Sequence, residues 1–250
     1  MPSLGLHLTA ARSLAADLSS PQVEADRGAY YLGATTPDIR VLTKWDRART
    51  HFFDLNDFDD QNGVHRLFEQ APGLRDASAV DAPTAAFLAG YISHLVLDED
   101  YITNVYRPLF GEQSGMSGEA LANVMDRLLQ WEMDRRDRPD SESCIDIQQA
   151  LAETAVEVTI DFIARETLLQ WRDVTVDIIS HPPTWERFHR IASRHLVAAG
   201  ITGDDDLAKF MEDAPQLLDR TLEGVGRERI SEYLHGAKTR ALRVMREYLS

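Results

Sequence analysis

Cysteine is almost missing from this chain: Cys144 is the single one in 250 residues. An internal disulfide is therefore excluded. Positive charge is scarce as well. The chain carries 26 Lys and Arg against 41 Asp and Glu, a formal net charge of −15. Phosphate backbones and anionic membranes repel such a chain, so general nucleic-acid binding and broad membrane adsorption are not expected. A small phosphorylated substrate held by a metal remains open. Long apolar runs are lacking too. No uncharged stretch reaches the roughly 18 residues of a membrane span. The longest candidate, Ala82 to Leu97, is interrupted by Thr84, Ser93 and His94. Lys and Arg are absent before Arg12, so no basic region precedes an apolar one; no signal peptide is expected, and the chain reads as cytoplasmic. Repeats, low-complexity tracts and obvious interdomain linkers are also absent.

What is present is helical periodicity over a composition that is 44% hydrophobic and 27% charged. Residues 6–18 place Leu6, Leu8, Ala11, Leu14 and Ala15 near one face. Ser20-Pro21 opens a second helix that reaches about Leu32 and ends at Gly33, and Thr35 to Asp38 reads as a turn. Asp81 can cap a helix with Pro83 in its first turn; its body, Ala85 to Leu97, is apolar on every side and should be central and buried. Residues 111–118 read as a loop. Helices are expected at 118–136, 143–172, 183–199, 205–222 and 226–249, with Pro182-Pro183 and Pro215 as breakers. The run Val174 to Ile179 is read as helix rather than strand. The last helix carries a stripe from Ile230 through Tyr233, Ala237 and Ala241 to Tyr248. The expectation is an all-α protein: a single domain over 1–250, a multi-helix bundle of about eight helices. Residues 1–110 should hold the site and 111–250 should close the bundle over it.

His94 and Asp98 are the sharpest chemical feature. Four residues apart on a helix, they point from one face, and the rest of that helix is apolar. A buried carboxylate needs a counter-group, and a divalent cation serves both residues at once. The plain alternative is a core histidine bonded to a neighbouring backbone. Gly90, one turn earlier on the same face, leaves room for another backbone or for an ion and its water; a glycine there costs about 1 kcal/mol in helix propensity. Asp38 follows Pro37 just past a helix-ending glycine. His51 stands in Thr50-His51-Phe52-Phe53-Asp54, where the two aromatics that follow it favour burial. His7 is the first strong ligand in the chain. Three imidazoles and two carboxylates suit zinc, and also iron or manganese. The lack of cysteine ligands favours an open, hydrolytic site over a closed structural one.

In order, His7, Asp38, His51-Phe52-Phe53-Asp54, and His94 with Asp98 resemble the zinc-dependent phospholipase C family, and more distantly the single-strand-specific nucleases, over about residues 1–110. The resemblance implies an all-helical fold and hydrolysis of a phosphoester by metal-activated water. It implies one or two zinc ions, with Asp98 bridging: His94, His51 and Asp38 on one ion and His7 on the other. The family's further histidine, six residues after the helix aspartate, is Asn104 here, and its later His-x-x-x-Glu pair is missing. A third metal is therefore not expected. Asp38 and Asp98 are the candidate catalytic carboxylates as well as ligands.

The segment from Arg40 to Arg49 holds Arg40, Lys44, Arg47 and Arg49 against Asp46 alone, so Arg47 or Arg49 is a candidate contact for a substrate phosphate. The plain alternative is a solvated loop whose arginines pair with nearby acids. Other features read as bland. Asp60, Asn62, Gly63 and Glu69 lack the first acid of a calcium loop, because Phe58 stands there. Trp131, Trp171 and Trp185 read as packing residues, and Cys144 follows acids that make it a poor nucleophile. His65, His181, His189, His195 and His235 carry no chemistry in this reading. Two other functions stay open: a helical metal-binding or interaction protein without catalysis, and an iron-dependent oxygenase or phosphohydrolase. The oligomeric state is not legible.

Overall fold

A computed structural model of the chain describes residues 2–55, 57–59, 61–116, 119–138 and 141–250, with the side chains of 141–143 left aside. Asp60 and residues 117–118 of the expected loop lie outside the described residues. The chain is all-α, and no strand occurs among the described residues. In order come α1 (Leu4–Leu18), α2 (Pro21–Ala25), α3 (Arg27–Gly33), a 3-10 turn (Thr36–Ile39), α4 (Arg40–Thr43), α5 (Ala48–His51), α6 (Gly63–Gln70) and α7 (Ala82–Tyr101). A π-helical turn (Ile102–Tyr106) follows, then α8 (Arg107–Leu109), α9 (Ala122–Asp137), α10 (Ser141–Glu153), α11 (Arg165–Ile179), α12 (Trp185–Ala198), α13 (Asp204–Val225) and α14 (Arg227–Leu249).

The helices outnumber the eight expected because several expected helices break. The second helix divides at Asp26, whose side chain accepts from Ala29 N at 2.8 Å and so caps a fresh start. The long helix expected over 143–172 is two helices joined by a non-helical segment. There Val156, Val158 and Ile160 are buried while Ala155, Glu157 and Thr159 are exposed. That alternation has a period of two, which a helix cannot satisfy. Pro215, expected to break a helix, lies inside α13. It is exposed, so the carbonyl it leaves unpaired can turn to water.

α7 is the axis of the molecule. Asp81 caps it by accepting from Thr84 N at 2.8 Å, and Pro83 sits in its first turn, where no amide hydrogen is needed. From Thr84 to Tyr101 every residue but Glu99 is buried. It packs chiefly on α3 and α14. α14 presents Tyr233, Ala237, Ala241, Met245 and Tyr248 to the core, the stripe legible in the sequence. Against α3 the approach is closer. A Cβ on Gly90 would collide with the Tyr30 carbonyl oxygen, and one on Gly33 with that of Phe87. Both glycines are therefore required by a backbone-to-backbone crossing, which answers what Gly90 makes room for.

Candidate metal centre

The crossing of α3 and α7 sets the position of His94. One turn after Gly90, its imidazole lies 2.8 Å by Nδ1 from the carbonyl of Ala34, the residue that follows α3. A carbonyl only accepts, so Nδ1 carries the proton. Nε2 of the neutral ring is then a bare lone pair. Burial, with His7 alongside, lowers the pKa of His94 to about 3 and keeps the ring neutral. The ring is fully buried, and Nε2 has no hydrogen-bond partner.

The other four residues arrive from separate segments. His7 lies in the second turn of α1, which Ser3 caps by accepting from Leu6 N at 3.1 Å. Its ring stacks on that of His94, with centroids 3.7 Å apart and planes 11° from parallel. Asp38 sits on the 3-10 turn. That turn is held by hydroxyl donation from Thr36 to Leu32 O at 2.7 Å, and by Trp171 of α11, whose Nε1 donates to Thr35 Oγ1 at 3.2 Å. His51 ends α5. Thr50 beside it donates to Pro37 O at 2.7 Å, and Tyr91 of α7 donates to Thr50 O, so α5, the turn and α7 are stitched together. Phe52, directly after His51, has φ of 55°, a left-handed conformation that a bulky residue adopts at a cost of about 1–2 kcal/mol. Asp98 is one turn beyond His94 on the buried face of α7.

These side chains converge. His7 Nε2 lies 3.5 Å from Asp98 Oδ1. His51 Nε2 lies 3.3 Å from Asp98 Oδ2 and 3.4 Å from Asp38 Oδ1. His94 Nε2 is 3.9 Å from Asp98 Oδ2. His7, His94 and Asp98 form one group whose ligand atoms lie within 4.8 Å of one another, and Asp38, His51 and His94 form a second. None of the three imidazole Nε2 atoms, nor Asp98 Oδ1, makes a hydrogen bond, although all four are buried. Ligand bonds of about 2.0–2.2 Å around a tetrahedral zinc place neighbouring ligand atoms about 3.4 Å apart. The closest separations here are of that size, too long for good hydrogen bonds and right for donors sharing a cation. The cluster thus fits a divalent metal such as zinc.

Electrostatics agree. Burial alone would raise the pKa of Asp98, yet His51, His7, His94 and Arg47 hold it well below the carboxylate range. Asp38 is likewise held low against its burial, chiefly by the His51 imidazole beside it. In the metal-free chain these groups make acid destabilising. His94 titrates near 6.5 when unfolded and near 3 when folded. Its contribution is therefore complete above about pH 6.5 and drains away as pH falls toward 3, by up to about 1.4 kcal/mol per unit. The melting temperature of chelator-treated protein should fall steadily from pH 7 to pH 4, and His94→Asn should flatten that slope. An unchanged slope in the variant would contradict the assignment.

Of the two arginines, Arg47 is 9% exposed. Its Nη2 donates to Asp98 Oδ2 at 2.6 Å and its Nη1 to Phe53 O at 3.0 Å. Arg49 is exposed, with its guanidinium 3.7 Å over the Trp45 ring and Nη2 donating to Phe162 O at 3.4 Å. Asn104 is exposed on the π-helical turn and lines a surface cleft with Asp100, Arg229 and Tyr233. Trp131 stacks on Trp185 at 4.1 Å, and Trp171 is fully buried. The residues that sequence reasoning missed are the supports: Ala34, Thr35, Thr50 and Tyr91. Only Thr50 gave a signal, as the polar neighbour of His51 in an otherwise aromatic run.

Fold and site together define an all-helical chain with a buried cluster of three histidines and two aspartates suited to a divalent metal. Residues 6–99 match the family model of zinc dependent phospholipase C. The match takes in all five residues of the cluster and stops one residue past Asp98. No curated protein and no solved structure matches the chain. No helix among the described residues is long and apolar enough to cross a membrane.

Proposed function

We propose that this chain is a metal-dependent hydrolase of a small phosphoester, with His7, Asp38, His51, His94 and Asp98 as the metal ligands. One observation carries the reading: four buried polar atoms without hydrogen bonds, three imidazole nitrogens and a carboxylate oxygen, face one another across separations that suit a shared cation. The match of residues 6–99 supports the hydrolytic class. A bound divalent ion supplies a lowered pKa for water and polarisation of a phosphoryl oxygen. The chain supplies the rest. The Ala34 carbonyl fixes the tautomer of His94, an outer-shell support of the kind that keeps a ligand nitrogen bare. Thr50 and Tyr91 hold His51 against the Asp38 turn. Asp38, at 7% exposure, is the more accessible of the two carboxylates and the one placed to take a proton from water. Arg49 is the exposed cation available to a substrate phosphate, and Arg47 contributes its charge from within. Residues 1–110 hold this centre, and 111–250 close over it as part of a single domain acting in the cytoplasm.

A second reading has one observation in its favour: none of the five ligands is more than 9% exposed, as a metal-binding protein without turnover would permit. Purified chain should contain zinc, manganese or iron by elemental analysis, lose it in the His94→Ala, Asp98→Ala double variant, and hydrolyse a chromogenic phosphodiester or monoester once reloaded. Bound metal without turnover on either ester selects the second reading. Iron with an optical band points to oxygenase chemistry. A folded wild type that binds no added metal would make His94 and Asp98 core polar groups and end the hydrolase reading.

A further inference from the structure

The five ligands and their family resemblance suggest two ions bridged by Asp98, but the surroundings of Asp98 allow one. We infer that Arg47 takes the place of a second cation, so that the centre holds a single divalent ion. This rests on the metal centre proposed above and concerns how many ions it takes.

Asp98 has two oxygens, and they are treated differently. Oδ1 has no hydrogen-bond partner and faces His7. Oδ2 accepts from Arg47 Nη2 at 2.6 Å, the short distance of a charge-assisted bond. Arg47 is fixed there rather than passing through, because its Nη1 donates to Phe53 O at 3.0 Å and only 9% of the residue is exposed. A guanidinium cannot be deprotonated to make way for a metal. A dication on the same carboxylate oxygen would meet it at close range in a poorly screened interior.

Donors and charge lead to the same number. A tetrahedral ion takes four donors, and the cluster has five residues. Both three-residue groups draw on His94 Nε2, a single lone pair, so a second ion would be left with two residues. Two carboxylates, Arg47 and one dication leave a single net positive charge, with the imidazoles neutral as metal ligands must be. A second dication would leave three positive charges on buried groups, and burying uncompensated charge is costly. One positive charge is sufficient to receive an anionic phosphoester. Arg47 thereby does the electrostatic work of a second metal and pins the Asp98 carboxylate.

Stoichiometry tests this without any assay of activity. Metal-free wild type, Arg47→Met, Arg47→Gln and Arg47→Lys would be titrated with zinc and with cobalt, following bound ions by native mass spectrometry and fold by circular dichroism. Wild type and Arg47→Lys should take one tightly bound ion, and a folded neutral variant should take a second. Two tight ions on wild type would overturn the inference while leaving the metal centre intact, and so would a folded neutral variant that stops at one. No ion on wild type would remove the metal centre itself. Wild-type stoichiometry alone decides the main point if both neutral variants fail to fold.

Discussion

Asp98→Ala is expected to abolish metal binding and to unsettle the fold by two separable routes. Asp98 stands against His7, His51 and His94 at once and carries Arg47 on Oδ2. As a direct ligand it should matter more than any outer-shell partner, whose loss typically weakens a site about 10–100-fold. Affinity for zinc should fall by more than about 100-fold. The second route needs no metal. Removing the carboxylate breaks a nearly buried ion pair, a change that typically costs about 3–5 kcal/mol. The metal-free variant should therefore melt well below metal-free wild type. Adding Arg47→Met to Asp98→Ala should recover part of that loss, because the buried cation is gone with its carboxylate, while metal binding stays lost. Equal stability of Asp98→Ala and wild type in the presence of chelator would show that the pair is not buried as described.

Gly90→Ala should be nearly as damaging, although it improves a helix by ordinary propensity. Alanine in place of glycine gains about 1 kcal/mol in an open helix. Here the added Cβ would collide with Tyr30 O and come within 2.8 Å of Ala34 N, both backbone atoms that cannot rotate away. α3 would have to move off α7, in a core where overpacking by a single carbon typically costs 1–3 kcal/mol and occasionally more. With about 1 kcal/mol of propensity returned, a net loss of about 2 kcal/mol would lower the melting temperature by roughly 4–8 °C in a chain of this size. The effect should also reach the metal, because the carbonyl that orients His94 belongs to Ala34. Thermal melts with and without zinc measure both parts. An unchanged or raised melting temperature would refute the crossing.

Much of this was legible because it is local. The cap at Asp81, the all-round apolar body of α7, the four-residue spacing of His94 and Asp98 and the stripe of α14 each follow from helix geometry. The alternation of Val156, Val158 and Ile160 was equally present in the sequence. It was submerged in flanking helical patterns, and only the buried-exposed rhythm of the chain in three dimensions isolates it. The support of the site was not legible, because it is carried by backbone atoms and long-range pairs. Nothing about Ala34 in sequence marks its carbonyl as the partner of His94, 60 residues away. Arg47 could be picked out as one of several cations near two ligands. That its guanidinium turns inward onto Asp98, 51 residues on, depends on where α5 meets α7.

The glycine crossing also orders events in time. The cluster draws on α1, the 3-10 turn, α5 and α7, segments spread from residue 7 to residue 98. Chain that must close loops of this length gains nothing from the ion until they are closed. Once α7 seats against α3, His94 is already turned by Ala34 and Asp98 lies one turn on. His7 and His51 then have a fixed target. A bound ion would therefore be a late staple in folding rather than its nucleus, and it should slow unfolding far more than it speeds assembly.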